Sequence, residues 1–111
     1  MKKYLVIYHA PPEAMAQMAT MTPEQKAEGM KPWAAWMESV GEKLTDPGSP
    51  FLPGTRISPN GSTQPSTNEV TGYSILQAND MEEAQSLVKN HPHLQWTEGC
   101  AIEVFEAIPM G

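Results

Sequence analysis

Between Thr45 and Asn68 the chain carries prolines at positions 47, 50, 53, 59 and 65 and glycines at 48, 54 and 61, so no long helix can run through its middle. Regular structure is confined to the segments on either side, and any core must be assembled across this stretch. Within it, Thr55-Arg56-Ile57-Ser58 reads as a short edge strand. The following Pro59-Asn60-Gly61-Ser62 reads as a turn that makes a loose hairpin into the next strand.

The first flank opens with Lys3 to His9, a β-branched and aromatic run closed by Pro11-Pro12, which predicts a strand. Glu13 to Met21, with Met15, Met18 and Met21, fits either a loose helical turn or a flap. Thr22-Pro23-Glu24-Gln25 then supplies an N-cap, a proline at the first helical position and a glutamine able to reach back, so the first helix starts there. Its core stripe is Ala27, Met30, Trp33, Ala34, Met37, Val40 and Leu44, and Pro32 predicts a kink or break near Met30. On the second flank, Val70 to Gln77 reads as a strand. Asn79-Asp80-Met81-Glu82-Glu83 opens a second helix, which Pro92 ends, and Ala101 to Glu106 is the last strand. The expected order is β-α-β-β-α-β, an α+β, ferredoxin-like arrangement with a four-stranded antiparallel sheet.

At 111 residues the chain has room for one domain, taken as residues 1–111. Strand one offers Leu5 and Ile7 on one face and Tyr4, Val6 and Tyr8 on the other, and the third strand is likewise apolar on both sides. Two helices cover one face only, so the other should be covered by a second copy, in a homodimer packed sheet to sheet. A balance of 7 Lys+Arg against 13 Asp+Glu, net -6, lacks the basic footprint that nucleic acid requires. The single Cys100 cannot form an internal disulfide, and the opening apolar run is too short for a signal peptide or a membrane span. No membrane partner is expected, and the chain reads as cytoplasmic.

This topology places the end of strand one (His9), the Arg56 hairpin and the end of the second helix (His91, His93) at one end of the sheet. His9, in parity with Leu5 and Ile7, is expected to point to the helix-covered side near the rim. His91 follows a helix C-terminus, where a cation interacts favourably with the dipole. His93, past the Pro92 stop and with no visible structural duty, is the leading acid/base candidate. Arg56 beside that end suits an anionic ligand, and Trp33 borders a cavity while Trp36 belongs to the core. His91-x-His93 with Glu98 lacks a third placed ligand, so no metal is expected. No Gly-rich phosphate loop, nucleophile elbow or cysteine pair is present, and no cofactor is expected.

Several short motifs in order carry a resemblance. Lys3-Tyr4-Leu5-Val6-Ile7-Tyr8, Trp33-Ala34-Ala35-Trp36-Met37 with Gly41, Val70-Thr71-Gly72-Tyr73-Ser74-Ile75-Leu76, Met81-Glu82-Glu83-Ala84, His91-Pro92-His93-Leu94 and Ile102-Glu103-Val104 together resemble YCII-related (DGPF-type) proteins over nearly the whole chain. The resemblance implies a dimeric α+β barrel. It also implies lyase or isomerase-type proton transfer, dehydrochlorination included, by a histidine on the first helix and an aspartate before a proline near the end of the second. This chain has no histidine on that helix, the counterpart lying near Met30, and reads His91-Pro92 at the second place. The leading expectation is a small-molecule lyase or isomerase in which His93 moves a proton, His9 assists, Arg56 orients the ligand, and Trp33 and His91 contact it. The alternative is a non-catalytic ligand-binding or interaction module on the same scaffold. A monooxygenase acting on quinol-like substrates is a third reading of the same fold.

Overall fold

Tyr4, Val6 and Tyr8 alternate with Leu5, Ile7 and His9 along β1 (Lys2–His9), and that alternation organises the chain; the computed structural model describes residues 1–110. Two helices follow, α1 (Pro12–Ala19) and α2 (Pro23–Val40). A 3-10 turn at Gly41–Lys43 leads into β2 (Leu44–Asp46). The central stretch folds back on itself as β3 (Thr55–Ile57) and β4 (Thr63–Pro65), and then come β5 (Val70–Ala78), α3 (Met81–Val88), a 3-10 turn at Pro92–Gln95 and β6 (Ala101–Ala107).

The main sheet has the order β2-β5-β1-β6 with every neighbouring pair antiparallel. This order is compatible with the expected ferredoxin-like arrangement, with one correction. The second strand of the sheet is Leu44–Asp46, where the sequence reading ends the first helix at Leu44 and begins the irregular stretch at Thr45. Thr55–Ile57 pairs instead with Thr63–Pro65 in a separate two-stranded ribbon. Gly41, at φ 63, ends the helix, and the 3-10 turn then sets Leu44 opposite Leu76.

Helix α2 starts with the capping box read from the sequence: Gln25 N donates to Thr22 Oγ1 at 3.2 Å, and Thr22 N donates to Gln25 Oε1 at 2.9 Å. The expected break near Met30 does not occur, and the helix runs unbroken through Pro32. The first half of α2 is exposed throughout, so the Glu28 carbonyl that loses its helical donor can turn to water. For the same reason Ala27 and Met30 do not join the core, which α2 reaches only through Trp33, Trp36, Met37 and Val40. Glu13 to Met21 resolves as the regular helix α1, with Ala14 buried.

The helices cover the sheet face that carries Tyr4, Val6 and Tyr8 from β1 and Gly72, Ser74, Leu76 and Ala78 from β5. Trp36, Val40, Ala84 and Val88 close over it. Each fully buried aliphatic side chain in this layer contributes roughly 1.5–3 kcal/mol of transfer free energy. On the opposite face, Leu5, Ile7, Tyr73 and Ile75 are partly exposed and Phe105 is 50% exposed, with no helix above them. Among the described residues no helix is long and apolar enough to cross a membrane.

The loop after β2 is fixed by backbone proximity. Gly48 sits at φ 78, and a Cβ there would stand 1.6 Å from the Tyr73 carbonyl oxygen. Gly48→Ala is therefore expected to lower the unfolding free energy by about 3 kcal/mol or more, because the substitution meets both a left-handed φ and backbone that cannot retreat. Urea unfolding followed by tryptophan fluorescence measures the effect, and a loss below about 1 kcal/mol would show that the loop is not seated on β5 as described.

Candidate functional site

The histidine end of the sheet is built on Tyr8, the last buried residue of β1. Its hydroxyl lies 2.8 Å from Ser74 Oγ and 3.2 Å from His91 Nε2. His91 Nδ1 accepts the His93 backbone N–H at 2.9 Å, so the ring proton of the neutral imidazole must reside on Nε2. The direction of the remaining protons follows: His91 Nε2 donates to Tyr8, Tyr8 donates to Ser74, and Ser74 donates to the Pro47 carbonyl at 2.8 Å. Small residues on the covered face of β5, Gly72 and Ser74, leave room for these rings under α2. Trp33 meets Tyr8 edge-on at 5.1 Å between centroids and His91 at 4.4 Å, and Trp36 lies 4.2 Å from His91 while its Nε1 donates to the Leu87 carbonyl at 2.8 Å.

His91 is fully buried and His93 is 3% exposed. Burial, reinforced by the neighbouring His93, pulls the His91 pKa down from 6.5 to about 3, so the ring is neutral at ordinary pH. Burial also lowers the pKa of His93, partly offset by its bonds to the backbone carbonyls of His9 and Ala101. Desolvation outweighs the Ser74 hydrogen bond at Tyr8 and raises the phenol to about 12. His91 is thus a buried hub rather than an exposed cation at a helix end. His93 has the structural duty that the sequence did not reveal, since its Nε2 donates to the His9 carbonyl at 2.7 Å.

His9 corrects the expectation about its side. It shares a face with Leu5 and Ile7, and that face is the one the helices leave open. The register between β1 and β5 shifts between Tyr8 and His9, and Glu69 takes φ 57, a left-handed conformation that a glutamate adopts at some cost. Together they aim two carbonyls at the end of β1: Asn68 O lies 3.1 Å from His9 Nδ1 and Glu69 O accepts Ala10 N–H at 3.0 Å. With Nδ1 donating to a carbonyl, His9 Nε2 is the free nitrogen, and Glu103 Oε1 stands 2.6 Å from it. Nε2 is shielded from water, and because the approach lacks hydrogen-bond alignment it has no aligned partner. Ile7 lies directly between Tyr73 on β5 and Glu103 on β6, one pleat below His9.

The structure brings His91, His93 and Trp33 together on the covered side of the sheet, places His9 at the same end but on the opposite face, joined to His93 only through its backbone carbonyl, and leaves Arg56 out. The hairpin does spring from this end, where Phe51 N donates to Thr71 O at 2.8 Å. Arg56 itself is exposed on it and forms no ion pair among the described residues. Two open grooves of about 470 Å³ flank α3, one bordered by Pro32, Trp36, Leu87 and Pro92 and the other by Val88, Lys89, Leu94 and Ile102. Neither is lined by a histidine or by Trp33. Among the described residues, no three histidine, cysteine or carboxylate side chains stand together to hold a metal ion. The residue that sequence reasoning missed is Glu103. Its signal was present in the parity of β6, which sets it on the same face as Phe105 and across from Ile7.

No family model matches the chain, and no curated protein matches it. Among solved structures it is similar to 5-chloro-2-hydroxyhydroquinone dehydrochlorinase (TftG) from Burkholderia phenoliruptrix AC1100, in complex with 2,5-dihydroxybenzoquinone. The two are 16% identical with a TM-score of 0.49, over 91% of this chain and 90% of that one.

The depressed His91 pKa fixes the sign of a stability change. The unfolded chain binds more protons than the folded one between about pH 6.5 and 3, so this contribution is complete above 6.5 and is lost as the pH falls. Stability is expected to drop by on the order of 1 kcal/mol per pH unit below about pH 6. Urea midpoints taken from pH 7.5 to 4.5 measure this, and a flat profile would mean that His91 is not held neutral.

Proposed function

We propose that the protein is a YCII-like homodimer that carries out histidine acid–base chemistry, of lyase or isomerase type, on a small molecule held in a cleft near the dimer interface, without a redox cofactor. The observation that supports this most is His9: its tautomer is set by Asn68 O, its Nε2 is paired with Glu103 at 2.6 Å, and both lie beside an uncovered apolar strip. In this reading the Glu103 side chain, 54% exposed, swings aside to uncover Nε2, which takes a proton from the substrate and returns it to the leaving group or to another position, while Glu103 stabilises the imidazolium. His93 is a positioning residue that holds the His9 backbone, and His91 positions His93. Trp33 packs the rings from behind, and Arg56 has no part in the cleft. A second copy covers Leu5, Ile75 and Phe105, which otherwise remain against water, and closes the cleft at its rim.

A non-catalytic ligand-binding module is the second reading, favoured by one observation: every hydrogen-bonding proton of the His91 chain is already committed inside the fold.

Two measurements test these readings. Solvent deuterium incorporation into a panel of small enolisable ketones and chlorinated phenols, followed by NMR, is expected with the wild type and to fall by at least about 100-fold in His9→Gln. Equal exchange in the variant removes His9 from the chemistry, and binding without any exchange in the wild type selects the module. Sedimentation velocity is expected to give a two-chain species that Ile75→Glu dissociates; a lone wild-type protomer at high concentration would remove the interface.

A further inference from the structure

The β3–β4 ribbon stands outside the core that the rest of the chain builds. From Thr55 to Pro65 every residue except Ser58 is exposed, Ile57 to 71%, and the two strands pack chiefly on each other. The root of the ribbon is fixed, with Phe51 N donating to Thr71 O at 2.8 Å and Ser66 N donating to Gly54 O at 2.9 Å. Its tip is the loop Pro59-Asn60-Gly61, closed by Ser58 N donating to Ser62 O and Gly61 N donating to Ser58 O, both at 2.8 Å, with Gly61 at φ 86. The Asn60 carboxamide folds forward over this loop, and its Oδ1 accepts the Ser62 N–H at 3.0 Å.

Of the four asparagines in the chain, Asn60, Asn68, Asn79 and Asn90, only Asn60 precedes a glycine. The Gly61 nitrogen has no side chain beside it to hinder attack on the preceding carboxamide. Once that nitrogen has lost its proton to solvent base, its attack on Asn60 Cγ forms a five-membered succinimide and expels the side-chain nitrogen as ammonia. Water then opens the ring at either carbonyl and leaves aspartate or isoaspartate, with no oxidant or reductant involved. Because the Gly61 N–H is held by Ser58 O and Asn60 Oδ1 by the Ser62 N–H, the tip must open before the ring can close.

We propose that Asn60-Gly61 is a site of spontaneous deamidation in the folded protein, reached through local opening of the ribbon tip. A lone two-stranded ribbon is marginally stable in water, and this one buries little apolar surface, so its tip opens without disturbing the sheet. The product places a carboxylate in a segment, residues 47–68, whose only charged side chain is Arg56; exchanging one amide for one acid takes the formal charge of the chain from -6 to -7. The isoaspartyl form also adds a methylene to the backbone of the loop, which the Ser58–Ser62 closure cannot absorb unchanged.

The test incubates the intact protein beside a synthetic peptide covering residues 55–66 in mildly alkaline buffer and follows the exchange of amide for acid by high-resolution mass spectrometry of the whole chain and of its proteolytic fragments. Conversion is expected at Asn60 and not at Asn68, Asn79 or Asn90, at a rate within about tenfold of the peptide's. A greater retardation means that the tip opens only together with the core, which would slow the reaction by about 10³ or more, and overturns the proposal. Conversion led by another asparagine overturns it as well. Asn60→Asp keeps the acceptor of the turn and is expected to show no mass increase in the ribbon fragment; a persisting increase rejects Asn60 as the site. Amide NMR spectra of the aged protein are expected to gain signals only within residues 55–65, whereas loss of the native Tyr8 and Ser74 signals would show that the reaction follows unfolding of the core and not opening of the tip.

Discussion

The direction of protons along one buried chain governs the histidine end of the molecule. Because His93 N–H occupies His91 Nδ1, the imidazole can only donate through Nε2, and Tyr8, Ser74 and Pro47 O follow in order. Four segments far apart in sequence are tied by that order: the turn after α3, the end of β1, the middle of β5 and the loop after β2. Each group is satisfied once, so adding a proton to His91 removes an acceptor and leaves two donors facing each other in a site with no access to water. Burial, with His93 beside it, depresses the His91 pKa and so keeps the ring in the neutral form that this arrangement requires.

The same chain separates two buried histidines from a third whose side chain is 21% exposed. His91 and His93 are enclosed by Tyr8, Trp33 and Trp36, where desolvation keeps them neutral and packing fixes their rings. His9 is one residue past Tyr8, and the pleat sends it to the opposite face. It still belongs to the network, because His93 holds its carbonyl at 2.7 Å. The backbone of β1 transmits position from the closed side of the sheet to the open one, while its side chains divide the work between the two.

Much of this was legible in the sequence, and the failures have definite causes. The capping box at Thr22 and Gln25, the N-cap at Asp80 and the long strands could be read because each depends on contacts within a few residues. The second strand was missed because Leu44-Thr45-Asp46 is only three residues long and carries no periodic signal of its own; it forms because Gly41 ends the helix and β5 supplies a partner. The side taken by His9 was misread because strands apolar on both faces give no parity cue. The usable cue lay on β5, where Gly72, Ser74 and Ala78 are small on one face and Tyr73 and Ile75 are large on the other. Helices and aromatic rings need room, so the small-residue face is the covered one.

That asymmetry also bears on what the open face can hold. The covered side takes its bulk from Trp33, Trp36 and the two buried histidines, packed into the space that small β5 residues leave. The open side has its own bulk in Ile7, Tyr73 and Phe105, so whatever lies against it must be flat or must be another surface of similar relief. Only at the rim does the relief drop, where Ala101 stands opposite His9 and the chain turns away at Val70. At that rim the strained Glu69 segment fixes the His9 ring with Glu103 at its side.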